Sequence, residues 1–274
     1  MGLLDGYTVE RTLALCPATL YHITEGEPII NAGMHLSALD VEGIVSEDKK
    51  GTANGIVLGY SVLRMVNRKN VWATLYKTKI SEAKMQPLLA RPGDDLTLVI
   101  DRLRKKGWGY AVIVDPKKKP TNLLGLLDLA IFYVRSGVSH NLSALVNDNA
   151  TAPLKTVSED YSVFNAIKMM LEQHVRRLYL ERLKLIVSDR GIIKWLLSEK
   201  LESLRDKPKE VLDAPLSKMS GHLHRPEFVD GRTTGAEALD LIISNEAHCV
   251  VTKDTRRILT PWDITTRLLY RQSR

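Results

Sequence analysis

One supersecondary pattern occurs four times along this chain: an apolar extended segment ends in a short turn and continues directly as a helix. The clearest copy spans residues 256–264, where Ile258 and Leu259 run into Thr260-Pro261-Trp262-Asp263. The apolar residues after this turn recur at helical spacing. Self-similarity at intervals of roughly 60 to 70 residues predicts a unit that buries its apolar face against copies of itself.

Each copy has the same order of elements: an extended lead, a helix, a strand, a polar loop, a second strand and a second helix. In the second copy the first helix is predicted over residues 96–106, because apolar residues follow the 3.6-residue period and basic residues precede Gly107. Residues 110–115 then form an apolar strand. Aligning the four strand-to-helix turns places these residues at equivalent positions: Ser61, Asp128, Ser188 and Thr260.

The turn at Thr260 has the chemistry of a helix N-terminus. Thr260 suits the N-cap, Pro261 suits the first helical position, and Asp263 falls in the first turn. Free amide N–H groups at such a terminus can hold a phosphate, while a carboxylate can accept hydrogen bonds from a ribose diol. Thr-x-x-Asp is also a capping-box variant that many helices carry without any ligand, so both interpretations remain open.

Composition favours a globular chain with two domains. The 274 residues are 44% hydrophobic and 6% aromatic, which predicts mainly aliphatic cores. Two cysteines are too few for a disulfide framework or a zinc site, so we expect a reduced, cytoplasmic protein. No secretory signal is visible, and the most apolar window is about half a membrane span, so no membrane association is expected.

Charge and motifs give no sign of catalysis. The net charge of +7 is spread along the chain, and its densest run, Lys117-Lys118-Lys119, is interpreted as a solvated loop. Nucleic-acid binding is therefore disfavoured but stays open. His222 and His224 lack a third nearby ligand, so no metal site is predicted. Because no P-loop, nucleophile elbow or metalloprotease motif is found, we expect a protein that is not an enzyme.

The capped helices, the basic turn into an apolar strand from His174 to Leu180, and the strand that enters Thr-x-x-Asp at Leu259 to Asp263 together resemble the cystathionine beta-synthase (CBS) domain. The resemblance implies an α/β fold of four CBS repeats, each β-α-β-β-α. It implies two tandem Bateman modules, residues 1–140 and 141–274. In repeat number and size the chain is similar to stand-alone archaeal CBS proteins and to the gamma subunit of AMP-activated protein kinase.

The resemblance implies a regulatory sensor that binds an adenine nucleotide, AMP, ADP or ATP, in the cleft of the C-terminal pair. The nucleotide would clamp repeat three against repeat four, and no further cofactor is required. An unidentified protein partner would sense the change, and a homodimer through the modules is expected. Two alternatives stay open: a ligand-free scaffold that binds a protein or nucleic acid, and a sensor of S-adenosylmethionine, which the arginine pair disfavours because guanidinium prefers anions.

In the family, the Asp of the motif binds the ribose hydroxyls, and the Ser or Thr three positions earlier contacts the phosphate or the ribose. Only repeat four has both; at the place of the Asp the other repeats have Arg64, Ile131 and Gly191. The partner repeat adds its lead-in strand and its basic turn. The resemblance thus implies one set: Thr260 and Asp263, with Ile258 lining the adenine pocket, Lys155 and Thr156 at the base, and His174, Arg176 and Arg177 at the phosphates. Each of these is also common as a solvated, capping or core residue.

Overall fold

A computed structural model describes residues 4–16, 19–39, 41–142, 146, 152–253 and 256–268. These residues form a mixed α/β fold with four small sheets, each flanked by helices. The predicted α/β class and the four-repeat organisation are confirmed. No helix among the described residues is both long and apolar enough to cross a membrane.

Repeat 1 and its lead segment form a three-stranded sheet in the order β1-β2-β3. The lead helix begins after Thr8, whose side chain accepts a hydrogen bond from the Arg11 amide. In chain order the elements are α1 (Val9–Leu15), β1 (His22–Thr24), α2 (Ile29–Ala38), β2 (Gly43–Glu47), β3 (Ala53–Leu58), α3 (Gly59–Val66), α4 (Val71–Lys77) and α5 (Ile80–Ala83).

Repeat 2 forms a second three-stranded sheet, β4-β5-β6. Its first helix is capped by the Asp95 side chain and ends at Gly107, whose φ of 66° is left-handed, as a glycine C-cap allows. The elements are β4 (Leu88–Ala90), α6 (Leu96–Lys106), β5 (Tyr110–Val114), β6 (Pro120–Gly125) and α7 (Leu126–Arg135), followed by a 3₁₀ turn over Val138–Asn141.

Repeats 3 and 4 form two four-stranded sheets, in the orders β11-β10-β9-β8 and β12-β13-β14-β7. The linking strand β7 (Ala152–Pro153) pairs with β14 of repeat 4. The elements of repeat 3 are β8 (Thr156–Val157), α8 (Val163–Glu172), β9 (Arg177–Leu180), β10 (Leu185–Ser188), α9 (Asp189–Lys194), α10 (Leu201–Asp206), α11 (Pro208–Leu212) and β11 (Leu223–His224). Those of repeat 4 are β12 (Glu227–Val229), α12 (Gly235–Ser244), β13 (Val250–Thr252), β14 (Arg257–Leu259) and α13 (Pro261–Asp263). π-helical turns continue α9 over Trp195–Glu199 and α13 over Ile264–Leu268.

Three strands in each of the four sheets share one topology. The first strand of each repeat pairs parallel with the second, across a helical connection, and the second pairs antiparallel with the third. This arrangement brings the end of the third strand beside the start of the second, as Gly125 lies opposite Tyr110 in repeat 2. The strand-to-helix turn therefore always opens at the same end of the sheet.

The chain packs into two compact units, each built from alternate repeats. The odd unit contains repeats 1 and 3, as residues Tyr21–Gln86 and Lys155–His224. The even unit contains repeats 2 and 4, as residues Met1–Leu20, Pro87–Leu154 and Arg225–Arg274. Each unit has its own apolar core, with Trp195 fully buried in the odd unit and Phe132 in the even unit.

The two compact units differ from the predicted modules, residues 1–140 and 141–274, because each unit combines one repeat from each predicted module. The helices of repeat 1 share their core with those of repeat 3, where Gly33 leaves room for the Leu197 side chain. An apolar helix face predicts burial but does not say which other helix will cover it. That repeats 1 and 2 bind a ligand as a pair, and that repeats 3 and 4 do so, stays a prediction.

Candidate functional site

The strand-to-helix turn of repeat 4 forms a closed hydrogen-bonded cap. Thr260 is extended, with φ −129° and ψ 170°, and it joins β14 to α13. Its backbone amide and its hydroxyl both donate to Asp263 Oδ2, at 2.9 Å and 2.8 Å. The predicted N-cap, the Pro261 position and the first-turn carboxylate are confirmed.

Asp263 is fully buried, and Thr260 and Ile258 are half-buried. Burying a carboxylate is costly unless it is hydrogen-bonded or paired. Thr260 supplies two hydrogen bonds to this carboxylate, and Arg267 Nε lies 3.8 Å from Asp263 Oδ1, one helical turn further on. A carboxylate offers about four acceptor sites, so the two bonds from Thr260 do not exhaust its acceptor capacity.

The alignment of the four turns proposed from the sequence is wrong in the first two repeats, by three residues. The N-cap residues are Leu58, Gly125, Ser188 and Thr260. The residues at the third helical position are Ser61, Asp128, Gly191 and Asp263. Ser61 and Asp128 therefore correspond to Asp263 and not to Thr260, whereas Arg64 and Ile131 lie one turn further on.

Asp128 therefore has in repeat 2 the capping role that Asp263 has in repeat 4. Its Oδ2 accepts a hydrogen bond from the Gly125 amide at 2.7 Å, as Asp263 Oδ2 does from Thr260. Short polar side chains occur both at N-caps and three residues later, so residue type alone could not fix the alignment. Both carboxylates belong to the even unit, and repeat 4 alone has a hydroxyl at the N-cap beside its carboxylate.

Arg176, predicted at the phosphates, forms an ion pair within the odd unit. Its Nε lies 2.8 Å from Oδ2 of Asp189, the first residue of α9. The Asp189 side chain is 5% exposed and that of Arg176 is 33% exposed. The other carboxylate oxygen, Oδ1, accepts from the Arg190 amide at 2.9 Å. Sequence reasoning missed Asp189, because an acidic residue in the first helical turn gives no sign of a partner thirteen residues earlier.

His174 has a backbone role in the turn from α8 to β9. Its φ is +52°, and the next amide, that of Val175, donates to the Met170 carbonyl, so His174 occupies the left-handed position that follows a helix. Gly107 serves the same purpose in repeat 2. The imidazole of His174 is exposed, which is compatible with either a capping or a ligand-binding role.

The predicted set falls into two groups. Ile258, Thr260 and Asp263 lie together in the even unit, on β14 and at the start of α13. The other five predicted residues, all in the odd unit, are Lys155, Thr156, His174, Arg176 and Arg177. Lys155 and Thr156 are exposed at β8, and Arg177 is half-buried at the start of β9. That both groups serve one cleft stays a prediction.

Comparison with known proteins identifies the architecture. Residues 145–198 match the family model of the CBS domain. The structure aligns with protein MJ1225 of Methanocaldococcus jannaschii, a candidate archaeal homologue of g-AMPK, with a TM-score of 0.79. That alignment covers 94% of this chain and 99% of the other at 14% sequence identity. This is the tandem CBS fold. The resemblance inferred from the sequence is confirmed.

One further structure and one sequence relative are also similar to this chain. An uncharacterised conserved protein of Pyrococcus horikoshii aligns with a TM-score of 0.53 at 15% identity, covering 91% of this chain and 96% of the other. Uncharacterised protein MK0525 of Methanopyrus kandleri is 29% identical over 96 residues, which is 35% of this chain. The match spans 48% of the length of that curated relative. Among the described residues, no cluster of three or more His, Cys, Asp or Glu side chains could hold a metal ion.

Proposed function

We propose that this CBS protein is a regulatory sensor of an adenine nucleotide, AMP, ADP or ATP, and not an enzyme. The observation that carries the proposal is the buried Asp263 carboxylate, held by two hydrogen bonds from Thr260 at the strand-to-helix turn. A carboxylate fixed in this way is preorganised to accept the 2′ and 3′ hydroxyls of a ribose. Half-buried Ile258, on the preceding strand, would contact the adenine ring.

The remaining predicted residues complete the proposed site. Lys155 and Thr156 would reach the base, while His174, Arg176 and Arg177 would bind the phosphates. Guanidinium groups suit phosphate because they stay charged at neutral pH and offer a planar fork of donors.

The proposed mechanism is differential binding. A nucleotide that contacts two repeats favours the arrangement in which both contacts are made, and a partner protein recognises that arrangement. The similarity to a candidate archaeal homologue of g-AMPK supports a role in sensing adenylate levels. A cytoplasmic location, an unidentified protein partner and a homodimer formed through the CBS modules belong to the same proposal.

The test is thermal unfolding with AMP, ADP, ATP and S-adenosylmethionine, for wild type and for Asp263→Asn. A nucleotide at 100 times its dissociation constant adds about 2.7 kcal/mol to the unfolding free energy. We expect this stabilisation in wild type and its loss in Asp263→Asn. Asp128→Asn is the matched control, because it removes the equivalent capping carboxylate from repeat 2 and should leave the nucleotide effect intact.

Three results would contradict the proposal. Stabilisation by S-adenosylmethionine alone would favour a sensor of that ligand. No stabilisation by any of the four compounds would leave Thr260 and Asp263 as a helix cap and favour the ligand-free scaffold. An unchanged nucleotide effect in Asp263→Asn would place the nucleotide elsewhere in the protein.

A further inference from the structure

A cavity of about 260 Å³ lies in repeat 2, at the end of the sheet opposite the strand-to-helix turn. It is lined by Val114, the last residue of β5, whereas Tyr110 at the start of β5 lies opposite Gly125, where α7 begins. A strand rises about 3.3 Å per residue, so the cavity is roughly 13 Å from the turn of its repeat. It is therefore distinct from the turns that carry Asp128 and Asp263.

Three basic side chains line this cavity: Arg91, Arg102 and Lys118. Among the residues that the structure describes, none of the three has a carboxylate within 4.0 Å. Arg102 Nη2 donates to the Leu89 carbonyl of edge strand β4 at 3.0 Å, which holds the guanidinium against the sheet. Its remaining N–H groups are left for another acceptor.

Two carboxylates also line the cavity, and both serve local turns. Asp94 Oδ2 accepts from the Arg91 amide at 3.0 Å, and Asp115 Oδ1 accepts from the Lys119 amide at 2.8 Å. These bonds close the turn before α6 and the hairpin between β5 and β6. Turn formation thus accounts for the acidic side chains but not for the basic ones.

Repeat 1 has the same two turns without the basic side chains. Its Glu27 accepts from the Thr24 amide at 3.2 Å, and its Asp48 accepts from the Lys50 amide at 2.8 Å. The positions of Arg91, Arg102 and Lys118 correspond there to Thr24, His35 and Gly51. The basic cluster is therefore not a requirement of the CBS fold.

Lys118 occupies a position where the backbone alone favours glycine. Its φ is +62°, close to the +74° of Gly51 in the equivalent hairpin. Side chains other than those of Gly, Asn and Asp rarely adopt this left-handed conformation. Lys184 and Arg256 have similar φ values, +55° and +46°, in the hairpins of repeats 3 and 4, so the conformation alone does not single out Lys118. What distinguishes Lys118 is that it lines the cavity.

We propose that this cavity binds a small phosphomonoester. Two guanidinium groups and one ammonium group supply the charge and the forked donors that a phosphate requires. Leu89 and Val114 give the cavity an apolar wall for the rest of the ligand. Its volume lies below the usual 300–1,000 Å³ of small-molecule pockets, so the ligand is the size of a sugar phosphate.

Calorimetric titration with glucose 6-phosphate, beside glucose and inorganic phosphate at constant ionic strength, tests this proposal. We expect glucose 6-phosphate to bind wild type and glucose not to bind. Lys118→Gly and Arg102→Gln should each lower the affinity for glucose 6-phosphate at least tenfold, since each removes a charged hydrogen bond. Lys118→Gly relieves the left-handed backbone, so the variant should fold. Lys117→Ala, in the same loop but outside the cavity lining, should bind as wild type does.

The proposal is overturned if neither phosphate compound binds, or if Lys117→Ala loses as much affinity as Lys118→Gly. It is equally overturned if a short single-stranded oligonucleotide binds this surface and displaces glucose 6-phosphate at much lower concentration, which would indicate polyanion binding. Asp263→Asn should leave the titration unchanged, so this result is independent of the adenine-nucleotide proposal.

Discussion

The Arg176–Asp189 ion pair should stabilise the odd unit even without a ligand. Removing one member of a buried pair leaves an uncompensated charge and typically costs about 3–5 kcal/mol. A third of the Arg176 side chain is exposed, and the Arg190 amide also bonds Asp189, so we expect a smaller cost for Arg176→Met, about 2–3 kcal/mol. For a protein of this size that corresponds to a fall in melting temperature of roughly 4–12 °C.

Arg182 provides a matched control. It forms an ion pair of the same length with Glu159, 2.8 Å, but its side chain is 82% exposed. Exposed pairs contribute about 0–1 kcal/mol, so Arg182→Met should be close to neutral. Urea unfolding of both variants without nucleotide measures the difference. If Arg176→Met costs no more than Arg182→Met, the pair is not structural, and Arg176 is released for phosphate binding.

The outcome determines how nucleotide-binding experiments on this turn are interpreted. If Arg176→Met destabilises the protein as expected, loss of nucleotide binding in that variant does not identify a phosphate contact. Arg177→Met then becomes the informative substitution, because a loss of binding without a comparable loss of stability indicates direct contact with the nucleotide.

Two further outcomes follow from shifted pKa values. Hydrogen bonds from Lys84 and Asn54 lower the pKa of the Glu25 carboxyl, so its contribution to stability is present above about pH 4.5 and is lost as the pH falls through the folded-state value. Unfolding curves measured from pH 7 to pH 3 should show this loss in wild type and less of it in Lys84→Met; identical profiles would contradict it. Burial, with a smaller effect of Asp128, raises the pKa of the Cys16 thiol to about 12. This cysteine should therefore react with a thiol reagent at pH 8 only in urea. Rapid labelling of Cys16 in the native protein would refute this.

Local structure was largely predictable from the sequence. The helix that ends at Gly107 and the Thr260 cap both form as expected, because each depends on residues within one or two turns of one another. The short helices α4 and α10 were not predicted. They fill the intervals between recognised repeats, and their lengths of seven and six residues give too little periodicity to detect.

Relations between distant residues were not predictable. The pairing of Arg176 with Asp189 and the basic cavity of repeat 2 depend on side chains that only the fold brings together. The Lys117-Lys118-Lys119 run illustrates the limit: it was interpreted as a solvated loop, and Lys118 alone of the three lines the cavity. The apolar periodicity of a helix likewise does not show which helix of another repeat will pack against it.

The alternation of the chain between its two units has a consequence for biosynthesis. Residues 21–86 are made early, directly after residues 1–20, but the segment that completes their core ends at residue 224, a further 138 residues along the chain. At 5–20 residues per second a ribosome needs roughly 7–28 s for that stretch. During this interval the apolar faces of the first repeat have no partner from their own unit, which leaves them open to non-native contacts until the third repeat emerges.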